Sequence, residues 1–203
     1  MVTFDTNLED NTPVVPQADD PAVGYQDPPD PWLTGTPHTH PQYSNFTDLD
    51  NWNDVGVVVL DEPVTGIAPA RLAPLGYLEQ FAPPTLHKTD FTLVGYGTHV
   101  AKPEDGPQRP EPMSRPLIRR VTTSPGQKLT DQILQLNGNP NDQHGGGGTC
   151  FGDSGGPAFL NDYLVADTSY TRNQFCRYLG GYQRLDIPVV QDWLAEFGIH
   201  PAA

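Results

Sequence analysis

Basic residues are scarce in this chain and unevenly spread. Eleven Lys and Arg stand against 25 Asp and Glu, giving a net charge of −14. A surface of that sign repels phosphate backbones, which excludes nucleic acid as a partner. The first 70 residues hold 12 of the acids and no Lys or Arg; the first basic side chain is Arg71. No window approaches the roughly 18 consecutive apolar residues of a membrane span. The 20 glycines show no period of three, so the 23 prolines do not mark a collagen-like helix. Met1-Val2-Thr3-Phe4-Asp5 has neither the basic nor the apolar region of a signal peptide. The histidines are scattered without carboxylates at ligand spacing, so no metal and no cofactor is expected.

Cysteine is down to two residues, Cys150 and Cys176. On composition they are either inert small hydrophobes or a pair. A pair at that separation would contribute about 3 kcal/mol. The acidic, Pro-rich opening (Asp19-Asp20-Pro21, Asp27-Pro28-Pro29-Asp30-Pro31) is likewise open to two readings. It is a disordered acidic arm, or polar loop sequence on a β domain. Trp32, Tyr43, Phe46 and Trp52 favour the second, because disordered arms are poor in aromatics.

What is present is a series of short β-rich runs: 55–60, 91–96, 117–122, 132–136, 157–160, 163–167 and 182–185. Each is bounded by Gly, Pro, Asn or Asp. Short strands with long loops and little helical periodicity predict an all-β antiparallel sandwich or barrel. One segment departs from this. Val189, Val190, Trp193, Leu194 and Phe197 share one face at a 3.6-residue period, predicting a C-terminal amphipathic helix. Asp186 is suited to cap it, Pro188 to its first turn and Gly198 to its end.

The chemistry is concentrated in residues 144–160, His-Gly-Gly-Gly-Gly-Thr-Cys-Phe-Gly-Asp-Ser-Gly-Gly-Pro-Ala-Phe-Leu. Glycines crowd Ser154, so the backbone can turn sharply and carry the hydroxyl to an exposed apex. Successive small turns also let backbone N–H groups converge on one point, as an oxyanion requires.

Gly152-Asp153-Ser154-Gly155-Gly156-Pro157 matches, at every position, the nucleophile motif of the trypsin-like, chymotrypsin-fold serine proteases, and the chain resembles that family. Other segments support the resemblance in the family's order. Asn53-Asp54-Val55-Gly56-Val57-Val58-Val59-Leu60 is similar to the strand carrying the triad aspartate, and His40-Pro41-Gln42-Tyr43 to the turn that precedes it. Val94-Gly95-Tyr96-Gly97 resembles V-x-G-W/Y-G, Thr168-Ser169-Tyr170 resembles S-W-G, and Gly180-Gly181-Tyr182 resembles G-x-Y. The likeness runs from about residue 36 to 198, toward bacterial secreted members.

The resemblance implies two antiparallel barrels and a C-terminal helix, with 1–75 as the remainder of a first, incomplete barrel and 76–203 as the second. It implies a secreted serine endopeptidase acting on polypeptides, monomeric when complete. Ser154 would be the nucleophile, the N–H groups of Gly152 and Ser154 the oxyanion hole, and Asp54 the residue that orients a histidine. Asp54 is expected to be buried, with Ser169 beside it. Cys150 and Cys176 would form the disulfide flanking the specificity pocket. Gly148 falls at the pocket floor, where a carboxylate would select Arg or Lys. Tyr170, Thr171 and Gly180 fall at its walls. Neutral, small to medium side chains are therefore expected.

A serine hydroxyl needs a base. The family's base lies in T-A-A/G-H-C before the aspartate, and that motif is absent. Only His38 and His40 precede Asp54, and His40 reads as a surface or turn residue; His144 reads as a loop tip. Val2-Thr3-Phe4-Asp5 resembles the strand after the family's histidine helix. The expectation is a chain cut just after its catalytic histidine, inactive alone, with Ala-His-Cys encoded in frame upstream. Asp153 also lacks the free amino group it often pairs with in the family. Two alternatives stand. One is a protease-like binding module without catalysis. The other is an α/β-hydrolase esterase, since Gly152–Gly156 satisfies G-x-S-x-G and His144-Gly145-Gly146-Gly147 mimics an oxyanion segment. That fold requires a helix after the serine, where Pro157 stands.

Overall fold

The computed structural model describes residues 2–8, 32–48, 50–100, 113–114, 116–142 and 146–202. Its largest element is a closed antiparallel barrel of six strands. These are β4 (Asp90–Gly95), β7 (Arg120–Leu129), β8 (Ile133–Asn137), β9 (Pro157–Leu160), β10 (Tyr163–Thr171) and β11 (Leu179–Arg184). They run in the order β11-β8-β7-β4-β9-β10, and β10 pairs with β11 to close the ring. Closure removes the free edges that antiparallel sheets otherwise expose. A short β3 (Arg71–Leu72) adds to β10 in parallel. β5 (His99–Val100) and β6 (Met113–Ser114) form a separate hairpin-like pair.

β7 pairs with β4 through residues 120–125 and with β8 through residues 126–129, with a register shift between Gly126 and Lys128. Gly126 stands at this corner because a Cβ there would lie 2.6 Å from the Leu86 carbonyl oxygen. Phe91, Leu93, Leu134, Leu136, Ala158, Val165 and Tyr182 fill the barrel. Leu78 and Leu86 close it from two 3-10 turns, Tyr77–Phe81 and Thr85–Lys88.

Before the barrel, the described residues form one two-stranded sheet, β1 (Gly35–Thr39) against β2 (Gly56–Leu60). This is the chymotrypsin-like fold, in which the described N-terminal residues contribute a two-stranded sheet. The first residues form no strand: Val2 bridges Leu33 and Asn7 bridges Ile118 as isolated pairs. The stretches 9–31 and 101–112 lie outside the described residues, as does His144.

The expected helix is present as α1 (Pro188–Ala195). Pro188 occupies its first turn, and Gly198, at φ 73°, ends it. There the Gly198 N–H donates to Ala195 O and the Ile199 N–H to Leu194 O, the Schellman arrangement. The cap differs from expectation. Ile187 is the N-cap, and Asp186 is drawn away by the Arg184 guanidinium at 2.9 Å. Val190, Trp193 and Leu194 of α1 pack with Val55, Leu72, Leu185 and Ile187 in a second buried cluster. At about 1.5–3 kcal/mol per fully buried large side chain, this cluster is what fastens β2 to the barrel. Val55 adjoins Asp54, so this packing fixes the backbone from which that carboxylate projects.

Candidate active site

The segment from Cys150 to Pro157 is two successive turns. The Asp153 N–H donates to Cys150 O at 3.0 Å and the Gly156 N–H to Asp153 O at 2.8 Å. Gly152 and Gly155 take φ values of 92° and 74°, a region costly for any residue with a Cβ. The turns are joined to β10. The Gly155 N–H donates to Thr168 O and the Thr168 N–H to Gly156 O, each at 2.8 Å. Ser154 is thereby left exposed at the apex, and its hydroxyl has no hydrogen-bond partner among the described residues. The N–H groups of Gly152 and Ser154 likewise meet no acceptor there. Unsatisfied donors at a rigid turn are what a developing oxyanion needs.

Asp153 holds the turn from beneath. Its Oδ1 accepts from the Gly97 N–H at 2.7 Å and its Oδ2 from the Cys150 N–H at 2.8 Å. A Cβ on Gly95 or Gly97 would lie 1.9 or 2.5 Å from this carboxylate, which accounts for the glycines of Val94-Gly95-Tyr96-Gly97. The carboxylate is thus met by backbone donors rather than by a free amino group. Cys150 and Cys176 are joined in a disulfide with Cα atoms 5.2 Å apart.

Asp54 approaches from the other side, partly buried rather than fully so. Its Oδ2 accepts from the Ser169 hydroxyl at 2.6 Å, and Ser169 Oγ accepts in turn from the Trp52 indole N–H at 2.8 Å. The Asp54 N–H donates to Gln183 Oε1 at 3.0 Å, tying it to β11. The structure therefore brings Asp54 to β10 one residue beyond Thr168, where the Ser154 turn is docked.

No histidine among the described residues hydrogen-bonds to Ser154 or Asp54. His40 stands in the expected turn but is buried, not on the surface. Its Nδ1 accepts from the Gln42 N–H, its Nε2 lies 3.2 Å from Val189 O, and its ring meets Trp193 edge-on at 5.0 Å. The His38 ring packs on Phe197. His87, His99 and His200 are exposed on other elements.

Of the expected pocket residues, Gly180 stands beside Tyr182, while Gly148, Tyr170 and Thr171 meet other neighbours. The Tyr182 hydroxyl is 3.0 Å from Thr149 Oγ1, and burial pushes its pKa up to about 12. A Cβ on Gly180 would lie 2.9 Å from that hydroxyl. Gly148 backs onto Gly138, where a Cβ would lie 2.8 Å from the Gly138 Cα, so no larger side chain fits without backbone movement. The Tyr170 ring lies over Gly181 and 5.3 Å from Trp52, following a register shift in β10 between Thr168 and Tyr170. Thr171 is half-buried, its hydroxyl directed to Asn173 O.

Sequence reasoning missed Asp167. It precedes Ser169 by two residues on β10, and its Oδ1 is buried with no hydrogen-bond partner among the described residues. Burial first, and the Asp54 charge second, raise its pKa well above the ordinary carboxylate value. An acid inside a strand, at the alternate position to Ser169, was the available signal. The sign of its effect follows from proton counting. Between the unfolded and native pKa values the native state holds a proton the unfolded chain has lost, so stability falls as pH rises through that window. Asp167→Asn is expected to raise stability at neutral pH and flatten the fall between mildly acidic and neutral pH, read by denaturant unfolding across that range. An unchanged pH profile would contradict the assignment.

Three comparisons with known proteins bear on this arrangement. The family description that matches is Trypsin, over residues 33–194. A solved structure of human heparin binding protein is similar, with 16% identity, a TM-score of 0.57, and coverage of 84% of this chain and 69% of that one. A mutant of the same human protein gives 15% identity, a TM-score of 0.57, and coverage of 84% and 67%. No curated protein matches in sequence. At such identities the structural likeness speaks for the fold alone.

Proposed function

The chain belongs to the trypsin family, and from that membership we propose that it is the serine-nucleophile part of a secreted endopeptidase. The observation that carries this reading is the docking of the Ser154 turn on β10 directly before Ser169, the residue hydrogen-bonded to Asp54. Ser154 Oγ attacks a peptide carbonyl carbon, its proton passes to a histidine, and the oxyanion is met by the N–H groups of Gly152 and Ser154. The amine half leaves with that proton, and water then hydrolyses the ester. Asp54 orients the imidazole, and Ser169 with Trp52 orients Asp54. Gly148 at the pocket floor, with Tyr170, Thr171 and Gly180 around it, supports cleavage after neutral, small to medium side chains. The disulfide accords with an oxidising, extracellular setting.

In this reading the general-base histidine is not one of the described histidines of this chain, none of which hydrogen-bonds to Ser154 or Asp54. The test is to translate the upstream DNA and express the extended chain. Expected are an Ala-His-Cys segment and amide hydrolysis that Ser154→Ala abolishes. A stop codon before any such segment would leave the second reading, a protease-like binding module, which the packing of His40 on α1 and of His38 on Phe197 favours.

A further inference from the structure

Beside Ser154 runs a groove of about 820 Å³, and none of Ser169, Tyr170 or Thr171 lines it. Its walls are Phe4, Val94, Arg119, Arg120 and Val121, with the Ser154 turn at one margin. The sign of its charge opposes that of the whole protein, which carries −14. Arg119 is exposed and forms no ion pair among the described residues, while its backbone is fixed by the Arg119 N–H donating to Thr6 O at 2.8 Å. Arg120 donates through Nη2 to Gly97 O, and its Nε is buried without an acceptor. Among the described residues Asp153 is the one carboxylate lining the groove, and both its oxygens are already engaged by backbone N–H groups. Among the described residues, the guanidinium pair is therefore not neutralised by a groove carboxylate. Phe4 and Val121, 44% and 70% exposed, add an apolar surface beside it.

We propose that this groove selects polypeptides bearing Asp or Glu in the half of the substrate that departs first, with Arg119 making the charge contact. The assignment of that half rests on the endopeptidase reading, in which the acyl half lies along Ser169–Thr171. A charge-assisted bond in a partly enclosed groove is worth more than an open surface pair, and about a fivefold affinity difference is expected.

The test uses the whole chain carrying Ser154→Ala and dye-labelled hexapeptides that differ only in Glu against Gln. Fluorescence anisotropy at low salt should show the Glu peptide binding about fivefold more tightly, the gap narrowing as salt is added. The preference should vanish in Arg119→Ala, reverse in Arg119→Glu and persist in Arg172→Ala, an exposed arginine outside the groove. Equal affinities in the parent, a preference that survives Arg119→Glu, or one lost in Arg172→Ala would overturn the proposal. So would Arg119-dependent binding of a sulfated oligosaccharide with no discrimination between the peptides. Ground-state binding needs no base, so absent turnover in the extended chain would count against the endopeptidase reading and leave this preference measurable.

Discussion

Purified alone, the 203-residue chain is expected to hydrolyse peptide bonds at least about 10⁴-fold more slowly than an enzyme of this fold with a complete triad. The Ser154 turn is formed and its N–H donors are unoccupied, but a neutral hydroxyl is a weak nucleophile until a neighbour takes its proton. His40 is the nearest candidate by strand register, since its N–H donates to Val55 O, one residue from Asp54. Its ring faces the other way, held between Gln42 and Val189 and packed on Trp193. Turning it toward Ser154 would break those contacts and open the cluster that fastens β2. His38 is engaged by Phe197. Fluorogenic peptide amides should therefore be turned over equally slowly by the chain and by its Ser154→Ala variant. Rates within about tenfold of a complete enzyme would mean that a histidine of this chain does reach Ser154.

The second large effect lies at the barrel end, away from the site. Arg184 and Asp186 side chains are 2% and 0% exposed, and the Asp186 carboxylate accepts from Arg184 Nε at 2.9 Å and Nη2 at 3.0 Å. The same carboxylate accepts from the Leu78 N–H at 2.8 Å. Asp186→Ala deprives a buried guanidinium of its buried carboxylate and is expected to cost about 3–5 kcal/mol, a large share of the roughly 5–15 kcal/mol that holds a domain together. Glu79 reaches the same guanidinium at 2.8 Å but is 64% exposed. Water screens that arm, so Glu79→Ala should cost no more than about 1 kcal/mol. Denaturant midpoints of the two variants measure the contrast. Equal losses would show that Asp186 is not the partner that matters.

The parts of this protein most legible in its sequence are those where one local stretch carries its own constraint. The Ser154 turn needs glycines at fixed places, and they are written consecutively. The helix at 188–195 shows its period and both its Pro and Gly ends. The Asp54 strand reads as a short apolar run after an acid. Features that depend on distant partners were less visible. Pro125-Gly126 suggests a turn, yet β7 continues through both because the strand bends around the barrel corner. Asp186 sits where a cap belongs, but a buried arginine two residues earlier competes for it and wins. Asp167 and the Arg119–Arg120 groove arise only when strands far apart in the chain are placed side by side.

The two halves of the candidate site do not stand on equal foundations. The Ser154 turn is hydrogen-bonded to β10, a strand of a closed ring in which every member is paired on both sides. Asp54 introduces β2, whose one strand partner among the described residues is β1, and a two-stranded sheet is marginal without outside support. That support comes from side chains: Val55 and Val57 in the α1 cluster, His40 on Val189 and Trp193, His38 on Phe197, Trp52 on Ser169 and Tyr170, and the Asp54 contacts with Gln183 and Ser169. Local opening of β1 and β2 therefore requires less free energy than opening of the barrel. The aspartate can leave its place while the nucleophile turn stays intact. Assembly of the site is thus an equilibrium separate from folding of the barrel, and a ligand or segment that engages the β1–β2 sheet raises the assembled population without touching Ser154.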